Sequence, residues 1–134
     1  LHARALGVCM IYQELALAPH LSAMENILLG IEPTRGPFMN WTETRAIARR
    51  ALDEVGLPHL DPATLVGDLS VAEQQLVEIA RAVAVGCKVL VLDEPTSSLT
   101  QKDVQALFAL VRRLRAKGVA IVYISHALEE IEAL

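Results

Sequence analysis

Two adjacent carboxylates, Asp93 and Glu94, follow the aliphatic run "KVLVL" and precede Pro95 and Thr96. Successive residues of a strand point to opposite faces, so the two acids should not share one task. One carboxylate at such a strand end can hold a hydrated Mg2+, and the other can polarise a water aimed at a phosphate. An Asp-Glu pair alone is ordinary turn chemistry; four aliphatics before it and Pro-Thr after it favour the functional reading. Two further apolar, β-prone runs end in polar groups: "GVCMIY" in Gln13, and "VAIVYI" in Ser125 and His126. Ligands of open parallel sheets sit beyond the carboxyl ends of the strands. There Gln13 is placed to touch metal or water, and His126 to donate a hydrogen bond to a terminal phosphate. Singly, each is an unremarkable loop residue; the coincidence of three strand ends is the signal.

A fourth feature is the stretch "LSVAEQQLVEIARAV", Leu69 to Val83. Ser70 stands three residues before Glu73, the spacing of a capping box. The same geometry leaves free N–H groups at a positive dipole end, which suits an anion. Ser70 therefore either starts a helix or also presents that helix to a phosphate. His2, His20, His59 and Trp41 have no comparable context and take surface or packing roles. Cys9 and Cys87 each flank a strand-like run and read as two buried thiols, not as a disulfide or metal site. A phosphate-binding loop G-x-x-x-x-G-K-[ST] is missing: "GIEPTRGPF" has the wrong spacing, and "VGCKVL" has a lysine without a cradle.

The elements that must position these groups follow from periodicity. With 53% hydrophobic residues in 134, the chain can bury the core of one compact domain. A net charge of −4 and 4% aromatics argue against a nucleic-acid surface, and the apolar runs are far short of a membrane span. "GVCMIY", "KVLVLD" and "VAIVYIS" predict three buried strands, the second a continuous apolar run of the kind covered on both faces. Helices are predicted after Ser22 with Glu25 completing a capping box and Gly30 as stop, over about 42–55, from Ser70 to about Val85, from about Thr100 to Gly118, and after His126. "IEPTRGPFMN" is rich in Pro and Gly and predicts a loop throughout. Strand, helix, strand, helix implies an α/β unit with parallel strands, into which the helical middle is inserted. Leu1 in place of an initiator Met, and "ALEEIEAL" stopping inside a helix, suggest a piece of something longer.

In order along the chain, "IYQEL", "LSVAEQQLVEIARAV", "VLVLDEPTSSLT" and "IVYISH" resemble the Q-loop, signature motif, Walker B with D-loop, and H-loop of ATP-binding cassette (ABC) ATPases. The details resemble the branch serving ribose, galactose and xylose importers, and within it the first of two fused cassettes. The resemblance implies a partial P-loop NTPase core with an inserted α-helical subdomain. Residues 1–21 would carry a core strand and the Q-loop, 22–86 the helical subdomain, and 87–134 the Walker B, D-loop and H-loop. It implies ATP and Mg2+ as cofactors, with Asp93 binding Mg2+ through water and Gln13 contacting Mg2+ and water. Glu94 would be the general base, and His126 the γ-phosphate switch. Ser97, Ser98, Leu99 and Thr100 would form the D-loop at a cassette–cassette interface. The usual Leu-Ser-Gly-Gly-Gln signature is altered here to Val71, Ala72 and Glu73 after Ser70. Ala72 keeps its backbone N–H, while Glu73 brings a negative charge toward a phosphate unless a capping box engages it.

The implied protein is the energy-coupling ATPase of a bacterial sugar importer, peripheral on the inner face of the cell membrane. Its implied partners are a second cassette, a permease reached through the Q-loop and helical subdomain, and indirectly a periplasmic sugar-binding protein, with no nucleic acid. The three strands would be sheet neighbours, with "VAIVYIS" an exposed apolar edge where the Walker A strand is missing. This stretch alone is expected not to hydrolyse ATP. The competing readings are a ribosome- or DNA-associated cassette, for which a basic arm would be needed, and a non-catalytic interaction module, which an intact Glu94 and His126 disfavour.

Overall fold

The computed structural model describes residues 6–134, so His2 lies outside the described residues. The chain divides into two compact units, one helical over Leu17–Val85 and one α/β.

In the α/β unit, β1 (Val8–Ile11), β4 (Val89–Asp93) and β5 (Ala120–Ile124) form a parallel sheet in the order β1-β4-β5. The register sets Met10 beside Val91 and Val91 beside Val122. The three strands are therefore neighbours, as expected, and β5 is an edge strand among the described residues. Leu90 and Leu92 are buried on one face, where α4 (Gln101–Ala116) contributes Leu107, Phe108, Leu110, Val111 and Leu114 to the core. The opposite face is open, which corrects the expectation of strands covered on both sides. Val89 and Val91 are half-buried, Met10 is exposed, and Val122 and Ile124 on β5 are 46% and 43% exposed. A continuous apolar run reports what a strand is built to bury; it does not ensure that a covering layer lies within these residues. The cysteines are likewise half-buried instead of buried, and both are free. Burial first, and then the neighbouring Cys9, push the Cys87 thiol up to about 12.

In the helical unit, α1 (Ala23–Leu28), α2 (Trp41–Glu54) and α3 (Val71–Ala84) pack against one another. Ser22 caps α1 with the full reciprocal box to Glu25, and Gly30 supplies the positive φ that ends it, +86°. Asn26 is 1% exposed. Its Oδ1 accepts from the Ala18 N–H at 2.8 Å, and its Nδ2 donates to the carbonyls of Ala18 and Ser22 at 3.0 Å each. One carboxamide thus satisfies the backbone of the segment leading into the helix. Arg49 does similar work later, donating to the Leu57 carbonyl at 2.7 Å and pairing with Asp53 at 2.9 Å. At Gly67 a Cβ would meet the Pro19 carbonyl oxygen at 3.0 Å, so glycine permits the close approach that its own N–H uses to reach that oxygen. The stretch "IEPTRGPFMN" is not wholly loop. Thr34–Arg35 (β2) and Phe38–Met39 (β3) pair antiparallel. Gly36 at φ +63°, followed by a proline of fixed negative φ, suits a tight hairpin turn.

Candidate functional site

β4 and β5 end side by side, with Asp93 level with Ile124. The next residue, Glu94, turns out of the sheet with φ +47°, a left-handed conformation that is uncommon outside glycine. Its N–H donates to the Ile124 carbonyl at 2.8 Å, so a backbone bond to the neighbouring strand helps hold the unusual turn. Its carboxylate reaches His126, with Oε1 3.4 Å from Nε2. That contact lies within ion-pair range but outside hydrogen-bonding geometry, and the buried Glu94 Oε1 has no hydrogen-bond partner. The Glu94 side chain is 18% exposed, against 97% for His126. A sheltered carboxylate thus stands against a freely accessible imidazole at the carboxyl ends of adjacent strands.

Gln13 follows β1 at the same end of the sheet and is exposed. Asp93, half-buried, is the last residue of β4. Asp93 and Gln13 offer the hard oxygen donors that suit Mg2+, an ion that usually keeps several waters. Among the described residues no cluster of three or more His, Cys, Asp or Glu could ligate a metal. A cation here would therefore take one carboxylate and fill its coordination from water or phosphate oxygens. Ser97 and Ser98 are exposed in the turn after Glu94, and Thr100 caps α4 by accepting from the Asp103 N–H at 3.3 Å.

Ser70, Val71, Ala72 and Glu73 belong to the helical unit, at the N-terminus of α3. The Ser70 Oγ accepts from the Glu73 N–H at 3.2 Å, as an N-cap should. The reciprocal half of the capping box is replaced, because the same hydroxyl is 3.1 Å from the Glu73 carboxylate, to which it donates. Ser70 and Val71 remain exposed. His20, His59 and Trp41, expected in surface or packing roles, are all exposed.

Glu130, on α5 (Leu128–Ala133), is a site residue that the motifs do not single out. Its carboxylate accepts three hydroxyl hydrogen bonds: from Thr96 at 2.6 Å on Oε1, and from Tyr123 and Ser125 at 2.9 Å each on Oε2. Tyr123 also packs its ring edge-on against Phe108, with centroids 6.0 Å apart. Burial pushes the Glu130 carboxyl up, but the three hydroxyls together outweigh it and hold the group below the ordinary 4.5. Tyr123 moves the other way, raised first by burial and then by its bond to Glu130. In the sequence, "ALEEIEAL" reads as solvated helix acids; the only available signal was the one-turn spacing from His126 to Glu130.

A family model described as ABC transporter matches residues 2–97. The chain is 53% identical to the ribose import ATP-binding protein RbsA 3 of Rubrobacter xylanophilus over 97% of its own length and 26% of that protein's. It is 50% identical to a ribose/galactose/methyl galactoside import ATP-binding protein of Burkholderia ambifaria, over 96% of its length and 25% of the relative's. The chain thus spans about a quarter of the length of the curated relatives it matches. Among solved structures, a dimeric ATP-binding cassette in a post-hydrolysis state with ADP and Pi matches at TM-score 0.75 and 27% identity, covering 92% of this chain and 53% of that one.

Proposed function

The chain belongs to the ABC transporter family, and from that premise we propose that it is part of the ATP-hydrolysing, energy-coupling subunit of a bacterial sugar importer. The observation that carries the reading is the Glu94–His126 pair, 3.4 Å apart at the ends of adjacent parallel strands. ATP with Mg2+ supplies the phosphoryl group that is cut and the charge that stabilises its departure. Asp93 holds the hydrated cation, and Gln13 orients water at the neighbouring strand end. Glu94, sheltered and without a hydrogen-bonding partner at Oε1, accepts the proton of the attacking water. His126 donates to a phosphate oxygen, which its exposure allows. Ser98 lies in a turn offered to a second cassette. Ser70, Val71, Ala72 and Glu73 present the α3 N-terminus to nucleotide held by that cassette, so the site is completed by a partner. The relatives' printed names support sugar import; the reading adds a permease docked on the helical unit, a periplasmic binding protein beyond it, and a position on the inner face of the cell membrane. Residues 22–86 serve as the permease-facing subdomain, between core segments 1–21 and 87–134.

The test uses the full-length protein that carries this sequence. Glu94→Gln should lower ATP turnover by at least about 100-fold, while ATP affinity measured by equilibrium binding stays within about threefold. Ser70→Ala should show the same split, with a smaller loss of turnover. Unchanged turnover in Glu94→Gln, or equal losses of binding and turnover, would count against the assignment.

A further inference from the structure

We propose that Glu130 is a positioning residue that fixes the loop after Asp93–Glu94 to the strand end bearing His126; the inference rests on the reading that Glu94 and His126 act together on ATP. Glu94 and His126 sit on two separate chain segments, and neither side chain is fixed by a hydrogen bond of its own. The pair is off hydrogen-bonding geometry, and Glu94 occupies a left-handed backbone conformation that local sequence does not favour. Beyond the backbone bond from Glu94 to Ile124, one carboxylate ties the two segments together. Glu130 Oε1 accepts from Thr96, two residues beyond Glu94, and Oε2 accepts from Ser125, immediately before His126. Ser125 Oγ in turn accepts from the Ala127 N–H at 3.0 Å, so the backbone is held on both sides of His126. Tyr123 adds a third donor from β5, braced by Phe108 of α4. With the Glu94 N–H bond to Ile124, these contacts close a ring around the acid–imidazole pair. The three hydroxyls converge on one acceptor although Thr96 and Glu130 are far apart in the chain.

The chemistry makes a clean distinction available. Hydroxyls both donate and accept, so Glu130→Gln keeps an acceptor and adds a donor that rotated hydroxyls can take, preserving the ring. Glu130→Ala removes it. In the full-length protein, Glu130→Ala should lower kcat for ATP by about tenfold while KM and measured ATP affinity stay within about twofold, since a small misplacement of a reacting group affects turnover before binding. Glu130→Gln should restore most of kcat. Unchanged kcat in Glu130→Ala, or parallel losses of binding and turnover without rescue by Gln, would overturn the inference. Should Glu130→Ala fail to fold, Thr96→Val removes a single hydroxyl at nearly constant volume and should lower kcat about threefold; full activity there would also overturn it. If the unmodified protein turns over no ATP, the functional reading fails, and the positioning inference is decided separately on 13C-histidine-labelled protein. The His126 ring resonance should shift in Glu130→Ala and return in Glu130→Gln, and an unmoved resonance would reject it.

Discussion

The helical unit closes its own core, whereas the α/β unit closes only one side of its sheet. Ile27, Leu52, Val77 and Ile79 are essentially removed from solvent, and Asn26 and Arg49 satisfy the backbone of the connecting segments from within. In the α/β unit, α4 buries the Leu90–Leu92 face, while Met10, Val122 and Ile124 stay exposed on the other. The two units spend their apolar residues differently. One makes a finished core, and the other keeps a surface that a further layer could cover. The polar groups at the strand ends belong to the half-open unit.

The contrast can be tested by substitution, beginning with the largest expected effect. Asn26→Leu keeps the volume roughly constant but strands the Ala18 N–H, and it should cost about 2 kcal/mol in chemical denaturation. A loss near zero would mean that water replaces those bonds and that the helical unit is less sealed than described. Val122→Lys and Ile124→Lys alter the open face, and each should change stability by less than about 0.5 kcal/mol while reducing self-association in sedimentation velocity. A charge on the edge strand also discourages strand-to-strand pairing. Destabilisation comparable to the Asn26 variant would show the face to be covered. The smallest effect concerns acid. Because Glu130 titrates below its ordinary 4.5 in the folded chain, its contribution is complete above that value and is lost as pH falls through the lower native one. Thermal melts of the parent and Glu130→Gln should therefore differ near neutrality and converge at the acid end. A gap that persists unchanged into strong acid would contradict the direction of the shift.

Much of this architecture could be read from local pattern. Ser22 with Glu25, and Thr100 before α4, are caps whose partners lie three residues away, so sequence spacing alone locates them. The strand ends at Asp93 and Ser125 were visible because apolar runs stop abruptly there. What escaped depends on distance or on a choice between local bonds. Glu130 binds Thr96 across an entire helix and an entire strand of sequence, and nothing beside Thr96 announces the partner. Asn26 sits within "MENIL", where its role depends on backbone eight residues earlier. Ser70 had the right spacing for a reciprocal box, yet its hydroxyl took the Glu73 carboxylate directly. The hairpin at 34–39 was hidden because Gly and Pro signal both loops and tight turns.

The register of β1 carries a consequence for how the chain folds. Val8 pairs with Val89, so the entire helical unit lies between two hydrogen-bonded neighbours. Joining such distant strands from an open coil means closing a long loop before any contact rewards it. A helical segment that condenses first, using its nearby caps and bonds, replaces that floppy loop with a compact body and shortens the search. Pairing of β1 with β4 is then expected late in folding, so that Gln13 reaches the strand end beside Asp93 only after the helices have packed.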